Sequence, residues 1–145
     1  MKRGTVYIGT SGWTYKSWAD AFYPSGLPAT EQLKFYASKY PAVEINRSFY
    51  RLPTEKAFAD WRRQASDGFV YAVKGSRAVT HFKRLRPGAK SLDLLLHRSR
   101  ALHEHLGPIL WQLPPTLKKD SDRLRGFLQT LDRGIRHAIE FRHPS

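Results

Sequence analysis

Cysteine is absent from this sequence of 145 residues, and long apolar runs are missing as well. Without thiols the chain has no disulfide, no thiolate metal ligand and no cysteine nucleophile, and their absence fits a reducing compartment. No segment approaches the roughly 20 apolar residues that a membrane helix needs. The first residues also lack the apolar core of a signal peptide. These absences predict a cytoplasmic protein with no membrane partner.

Acidic residues are scarce too. There are 12 Asp and Glu against 25 Lys and Arg, so the formal net charge at pH 7 is +13. A surface of this kind attracts phosphates and nucleic acid, although a basic composition alone is also found in proteins without such partners. Because 41% of the residues are hydrophobic, the chain is expected to fold around a core. The charge therefore predicts an anionic substrate, with nucleic acid as one candidate.

Strand and helix patterns alternate along the chain. Strands are predicted over residues 5–9, 42–46, 69–74, 108–113 and 136–141, and helices over residues 30–39, 53–64, 91–105 and 120–131. This alternation predicts an α/β fold with a parallel sheet. A doubly wound sheet usually carries a glycine-rich phosphate loop after a strand, and Gly9-Thr10-Ser11-Gly12 lacks the full spacing of that motif.

The polar residues at the predicted strand ends favour a TIM-barrel-like (β/α) architecture, because that fold places its function at the carboxyl ends of its strands. A complete barrel has eight strands in roughly 250 residues, so about five of eight are expected in this chain. Residues 1–145 are therefore interpreted as a single domain that is a truncated barrel. A genuine fragment of this kind would expose sheet edges and is expected to self-associate.

Four predicted strands end in polar side chains. Glu44 interrupts the apolar run from Ala42 to Ile45, and strand alternation puts it on the face opposite Val43. Lys74, Gln112, Glu140 and Arg142 occupy similar positions on the later strands. Two carboxylates beside cations suit acid/base chemistry, so the predicted catalytic residues are Glu44, Lys74 and Glu140. The alternative is a buried ion-pair network that fills the barrel centre.

The loops after these strands supply the remaining candidates. The predicted substrate-binding residues are Asn46, Tyr50, Arg77, His81, Gln112, Arg142 and His143. The connection 74–90 carries six positive charges and no acidic residue, and Lys83, Arg84 and Arg86 within it are predicted to contact nucleic acid. The alternative interpretation is an ordinary solvated loop.

A divalent metal is the least supported cofactor prediction. His81 and His143 with Glu44 and Glu140 have the right ligand chemistry, but their spacing matches no metal motif. We therefore predict no metal site and no cofactor.

Short blocks along nearly the whole chain resemble the domain-of-unknown-function 72 family, also called YecE-like. The blocks occupy residues 7–13, 22–24, 35–37, 43–46, 48–53, 72–74, 76–77, 80–81, 106–115 and 140–145. They are similar to the N-terminal portion of the family. The resemblance implies a TIM-barrel-like fold, and it implies neither a settled activity nor accepted catalytic residues.

Two classes of function follow from the residues. The first is an enzyme that acts on an anionic substrate, a phosphodiester or nucleic acid, at the carboxyl ends of the strands. The second is a non-catalytic nucleic-acid or phosphate-binding protein that uses the basic loop. An inactive barrel fragment, active only after assembly, is a further alternative.

Overall fold

The computed structural model describes residues 4–145, which form one parallel sheet of five strands in the order β1-β2-β3-β4-β5. The strands are β1 Gly9–Ser11, β2 Ala42–Ile45, β3 Val70–Lys74, β4 Leu106–Gln112 and β5 His137–Glu140. Each strand pairs in parallel with the next one along the chain. The predicted α/β fold with a parallel sheet is therefore confirmed. The strand order never reverses, in contrast to a doubly wound sheet.

Helices fill the connections between the strands. They are α1 Gln32–Ala37, α2 Arg47–Tyr50, α3 Glu55–Arg62, α4 Lys90–Ser99 and α5 Ser121–Thr130, with 3-10 turns over Lys16–Trp18 and Arg100–His105 and a π-helical turn over Ala78–Phe82. The predicted helix starts near 53–54 and 120 are confirmed by their caps. The Thr54 side chain accepts a hydrogen bond of 3.1 Å from the Ala57 N–H, and Asp120 accepts one of 3.0 Å from the Arg123 N–H.

The prediction of a first strand over 5–9 was wrong in its bounds. β1 begins at Gly9 because Gly9 pairs with Ala42, the first residue of β2, so residues 5–8 extend beyond the strand they would have to join. Their apolar side chains are exposed instead, with Val6 at 79% and Ile8 at 69%. The apolar run Val6-Tyr7-Ile8 was a strand signal without a partner strand.

The third predicted helix also needed correction. The helix predicted over 91–105 divides into α4 and the 3-10 turn that follows, where His103 adopts a positive φ of 48°. Gly107 lies inside β4, where a Cβ atom would come within 2.5 Å of Val70 Cγ1. The glycine is thus needed for close strand packing.

The core lies between one face of the sheet and the helices. Alternate strand residues on this face are 0–1% exposed: Val43, Ile45, Tyr71, Val73, Ile109 and Trp111. They form one apolar cluster with Phe58 of α3, Leu95 of α4 and Phe127 of α5. Trp111 also donates a hydrogen bond of 3.2 Å from Nε1 to His137 Nδ1. Because strand side chains alternate, the polar residues between them belong to the opposite face.

No helix among residues 4–145 combines the length and the apolar character needed to cross a bilayer.

Candidate anion-binding site at the strand ends

Glu44 and Lys74 form an ion pair at the carboxyl ends of β2 and β3. The sheet register places Ile45 beside Val73, which brings the two polar side chains to the same end of neighbouring strands. Lys74 Nζ lies 3.8 Å from Glu44 Oε1, and the Ser11 hydroxyl donates a hydrogen bond of 3.1 Å to the same oxygen. The side chains of Glu44 and Lys74 are 21% and 16% exposed. We call Ser11, Glu44 and Lys74 the Glu44 group.

The turn after β2 is tied to this group. Asn46 donates a hydrogen bond from Nδ2 to the Ser11 hydroxyl, which in turn contacts Glu44. Ser48 is completely buried in α2, and its hydroxyl lies 2.6 Å from the carbonyl oxygen of Lys74. Asn46 was predicted from the sequence, whereas Ser11 and Ser48 were not. Ser48 lies two residues after Asn46, close to a polar strand end, and that position was the available signal.

Gln112, Glu140 and Arg142 form a second group, the Glu140 group, at the ends of β4 and β5. Gln112 is the register partner of Glu140, and its Nε2 donates a hydrogen bond of 2.7 Å to Glu140 Oε2. Arg142 Nε lies 3.5 Å from the other carboxylate oxygen, Oε1. The Glu140 side chain is 41% exposed, about twice the exposure of Glu44 at 21%. The second carboxylate is thus more open to solvent.

His81 is a predicted site residue whose pKa is affected by cations of both groups. It lies in the π-helical turn, with its ring edge-on to Phe49 at a centroid distance of 5.0 Å and its Nδ1 at 2.9 Å from the Thr80 hydroxyl. Burial lowers the pKa of His81, and the positive charges of Arg142, Lys74 and Arg77 lower it further. The imidazole is therefore neutral at pH 7. Lys74 of the Glu44 group and Arg142 of the Glu140 group are thus both close enough to His81 to act on its pKa.

Arg77 lies against two exposed aromatic rings. Its guanidinium carbon is 5.5 Å from the ring centroid of Tyr50 and 5.4 Å from that of Phe82. Tyr50 and Phe82 are 68% and 71% exposed. Tyr50 and Arg77 were predicted from the sequence, whereas Phe82 was not. A phenylalanine inside the basic connection 74–90 was the signal for it.

The other predicted residues belong to neither the Glu44 group nor the Glu140 group. Lys83, Arg84 and Arg86 are exposed, and Arg84 donates a hydrogen bond of 3.0 Å from Nη2 to the Thr116 hydroxyl in the loop after β4. His143 accepts at Nδ1 from the Ser145 N–H at 3.0 Å and from the Ser145 hydroxyl at 2.9 Å. Together with Arg142, His143 lines a pocket of about 340 Å³ between the loop after β4 and the end of β5.

The described residues, 4–145, hold no cluster of three or more His, Asp or Glu side chains suited to a metal ion. Glu44 and Glu140 are each paired with a cation, Lys74 and Arg142 respectively, and a bound metal would have to displace or coexist with that positive charge.

The fold and the site together define an α/β protein whose parallel sheet carries polar and charged side chains at the carboxyl ends of its strands. The family model described as protein of unknown function DUF72 matches residues 7–145, and the chain belongs to this family. The resemblance found in the sequence blocks is thereby confirmed.

A curated relative of the chain is the UPF0759 protein YunF of Bacillus subtilis strain 168. The two are 26% identical over 148 residues, which covers 97% of this chain and 51% of YunF.

Two solved structures share the fold. A DUF72 family protein of Enterococcus faecalis V583, EF0366, superposes with a TM-score of 0.74 at 18% identity, covering 94% of this chain and 50% of that one. A DUF72 family protein of Thermotoga maritima MSB8, TM1631, gives a TM-score of 0.67 at 24% identity, covering 95% and 56%. The chain therefore spans about half the length of the relatives it matches.

Proposed function

We propose that the strand ends form a site that binds and hydrolyses an anionic substrate of the phosphodiester class. The observation that carries this proposal is the Glu44–Lys74 pair, 3.8 Å apart and mostly buried, beside the neutral His81. Lys74, Arg77 and Arg142 provide positive charge for the phosphate, and Glu44 provides the base. Glu140 is the second carboxylate, and it also orients Arg142.

The proposed fold behind this site is a TIM-barrel-like (β/α) architecture, of which this chain supplies about five of eight strands. Two findings support it: the strands follow one another in sequential order, and the matching relatives are about twice as long. In such a barrel the face that carries Glu44, Lys74, Gln112 and Glu140 points inward. Substrate would then enter at the carboxyl ends of the strands.

In the proposed reaction each of four side chains has a role. Glu44 takes a proton from the attacking water as its oxygen bonds to phosphorus. The bond from phosphorus to the leaving oxygen breaks, and the Lys74 ammonium protonates that oxygen. Glu44 then returns its proton to Lys74 across their ion pair, which restores both groups. Arg77 and Arg142 stabilise the charge that spreads over the phosphate oxygens in the transition state.

The test compares turnover with binding. Hydrolysis of bis(4-nitrophenyl) phosphate is followed by release of nitrophenolate, and affinity for a fluorescein-labelled single-stranded oligonucleotide is followed by anisotropy at several salt concentrations. Glu44→Gln should abolish turnover because a carboxamide takes up no proton, while the affinity should stay within about twofold, because no cation is removed. Lys74→Ala should lower both.

Glu55→Gln is the matched control, because it removes one exposed carboxylate on α3, outside the two groups, and should leave turnover and affinity unchanged. Turnover that survives Glu44→Gln contradicts the role of Glu44. Oligonucleotide affinity without salt dependence contradicts an anionic substrate altogether.

A non-catalytic binder is the second candidate function. It is favoured by the exposed Lys83, Arg84 and Arg86 in a connection that contains no acidic residue. For such a binder, Glu44→Gln is harmless. Arg84→Ala combined with Arg86→Ala should reduce the slope of log affinity against log salt by roughly 0.7 for each lost contact with a single strand.

A further inference from the structure

Tyr50 and Phe82 present two aromatic rings to solvent at the edge of the proposed site, 68% and 71% exposed. They come from different elements, α2 and the π-helical turn, and the Arg77 guanidinium lies about 5.5 Å from each ring centroid. Large apolar rings are normally buried or used for contacts. A π-helical turn is also frequent at functional sites. Two exposed rings beside a guanidinium are suited to binding a partner with flat apolar groups.

We infer that Tyr50, Arg77 and Phe82 form a stacking surface for an unpaired nucleobase, next to the phosphate site. The proposal rests on the proposed function for its phosphate contacts and adds the recognition of the base. Aromatic rings and a planar guanidinium both stack on bases, and single-strand binding proteins combine such groups with a positively charged surface. The connection that carries Arg77 and Phe82 contains six positive charges and no acidic residue.

The exposure of the rings favours a single strand over a duplex. In a duplex, each base lies between its neighbours and its faces are hidden, whereas an unpaired base offers a face to a protruding ring. An acidic protein surface would match the positive charge, but an unpaired strand presents both a phosphate and a flat base at every nucleotide. The three side chains are therefore best matched by a strand whose bases are free.

The experiment measures anisotropy with three labelled probes of about 15 nucleotides, a length within the usual range of single-strand sites. The probes are oligothymidylate, an abasic strand of equal length and a duplex. The abasic strand keeps the phosphates and lacks the bases. The variants are Phe82→Ala, Phe82→Leu, Phe82→Trp and Tyr50→Ala. Leu128→Ala on α5 is the control, because it removes another exposed apolar side chain, 46% exposed, from a different surface. Circular dichroism verifies that each variant folds.

Oligothymidylate should bind more tightly than the abasic strand and the duplex. Phe82→Ala and Tyr50→Ala should each weaken oligothymidylate binding by roughly fivefold or more and leave abasic binding unchanged. Phe82→Trp should retain the affinity, whereas Phe82→Leu should behave like Phe82→Ala because it keeps the apolar bulk and loses the ring.

Equal affinity of the parent for oligothymidylate and the abasic strand would overturn the inference and leave the phosphate site intact. Normal binding by Phe82→Leu would also overturn it, because it would indicate a surface for apolar protein contacts. If none of the probes binds in a salt-dependent way, the proposed function fails as well. The two failures are therefore distinguishable.

Discussion

The two faces of the sheet share one backbone and differ in chemistry at the carboxyl ends of the strands. On one face Trp111 is completely buried against the helices, while the next residue, Gln112, faces the other way and binds the Glu140 carboxylate. The same change occurs between Val73 and Lys74 at the end of β3. One step along a strand therefore separates a residue that stabilises the fold from one available to a ligand.

The largest change in stability is expected when two adjacent residues of β4, one on each face, are replaced in turn. Trp111→Ala should lower the free energy of unfolding by about 3–5 kcal/mol, because it empties a site in contact with Phe127 and His137. Gln112→Ala should cost only about 1 kcal/mol, because it removes one hydrogen bond to a half-exposed carboxylate. Urea unfolding of both variants checks the prediction. Equal losses would show that the two faces are not energetically distinct.

The second-largest change in stability is expected at Gly75, which directly follows β3 and packs against Trp111. A Cβ atom at this position would lie 2.2 Å from Trp111 Cε3, so Gly75→Ala should destabilise the protein by about 1–3 kcal/mol through overpacking. The matched control is Gly126→Ala on α5, where a Cβ meets nothing within 4 Å. That change should stabilise the protein by about 0.5–1 kcal/mol, because alanine favours helix. Thermal unfolding distinguishes the two, and a destabilised control would contradict the packing argument.

A smaller change in stability is expected at the polar face. Glu44→Gln should shift the free energy of unfolding by about 1 kcal/mol or less, because its 3.8 Å pair with Lys74 keeps some access to water and the carboxamide oxygen can still accept from Ser11. Loss of turnover with unchanged stability would thus assign Glu44 to function. A loss as large as that of Trp111→Ala would instead identify a structural ion pair.

The smallest effect is a change in the titration of His81, which tests whether the Glu44 and Glu140 groups face one another. Arg142→Ala and Lys74→Ala should each raise the pKa of His81, because each removes a nearby positive charge. NMR titration of the imidazole measures it. Arg125→Ala on the surface of α5 is the control and should leave the pKa of His81 where it is. If the pKa of His81 does not change in Arg142→Ala, the Glu140 group does not lie near His81 and the Glu44 group.

The same lowered pKa has a consequence for stability. In the unfolded chain His81 takes up its proton near the ordinary value of about 6.5, whereas in the folded protein it does so only at lower pH. As the pH falls, the unfolded state binds a proton first, and stability is lost between the ordinary value and the lowered one. Comparing the parent with His81→Gln in urea unfolding at pH values across this range isolates the contribution.

Much of this organisation could be predicted from local sequence. The apolar alternation in β2, β3 and β5 indicated strands, and Thr54 and Asp120 indicated helix starts, because strand faces and helix caps depend on neighbouring residues. The first strand could not be located in this way. Its bounds depend on where β2 begins, and strand pairing is a contact between distant residues.

Some residues of the candidate site could likewise be identified from the sequence, and others could not. Glu44, Lys74, Gln112 and Glu140 were identifiable as polar residues in apolar runs. The hydroxyl of Ser11 on Glu44, the buried Ser48 beneath Lys74 and the exposed Phe82 beside Arg77 were not identifiable, because each owes its role to a neighbour on another element. The division of the chain into domains and its location in the cell stay predictions.

By itself, the amino-acid sequence determined the parallel α/β class and the polar character of the strand ends, because both follow from the order and alternation of nearby residues. Only the tertiary structure decided which polar residues meet. It joined Glu44 to Lys74 and Glu140 to Gln112 and Arg142, and it placed His81 near both sets of cations. The physical reason is that charge interactions depend on distances in space, which the strand register determines.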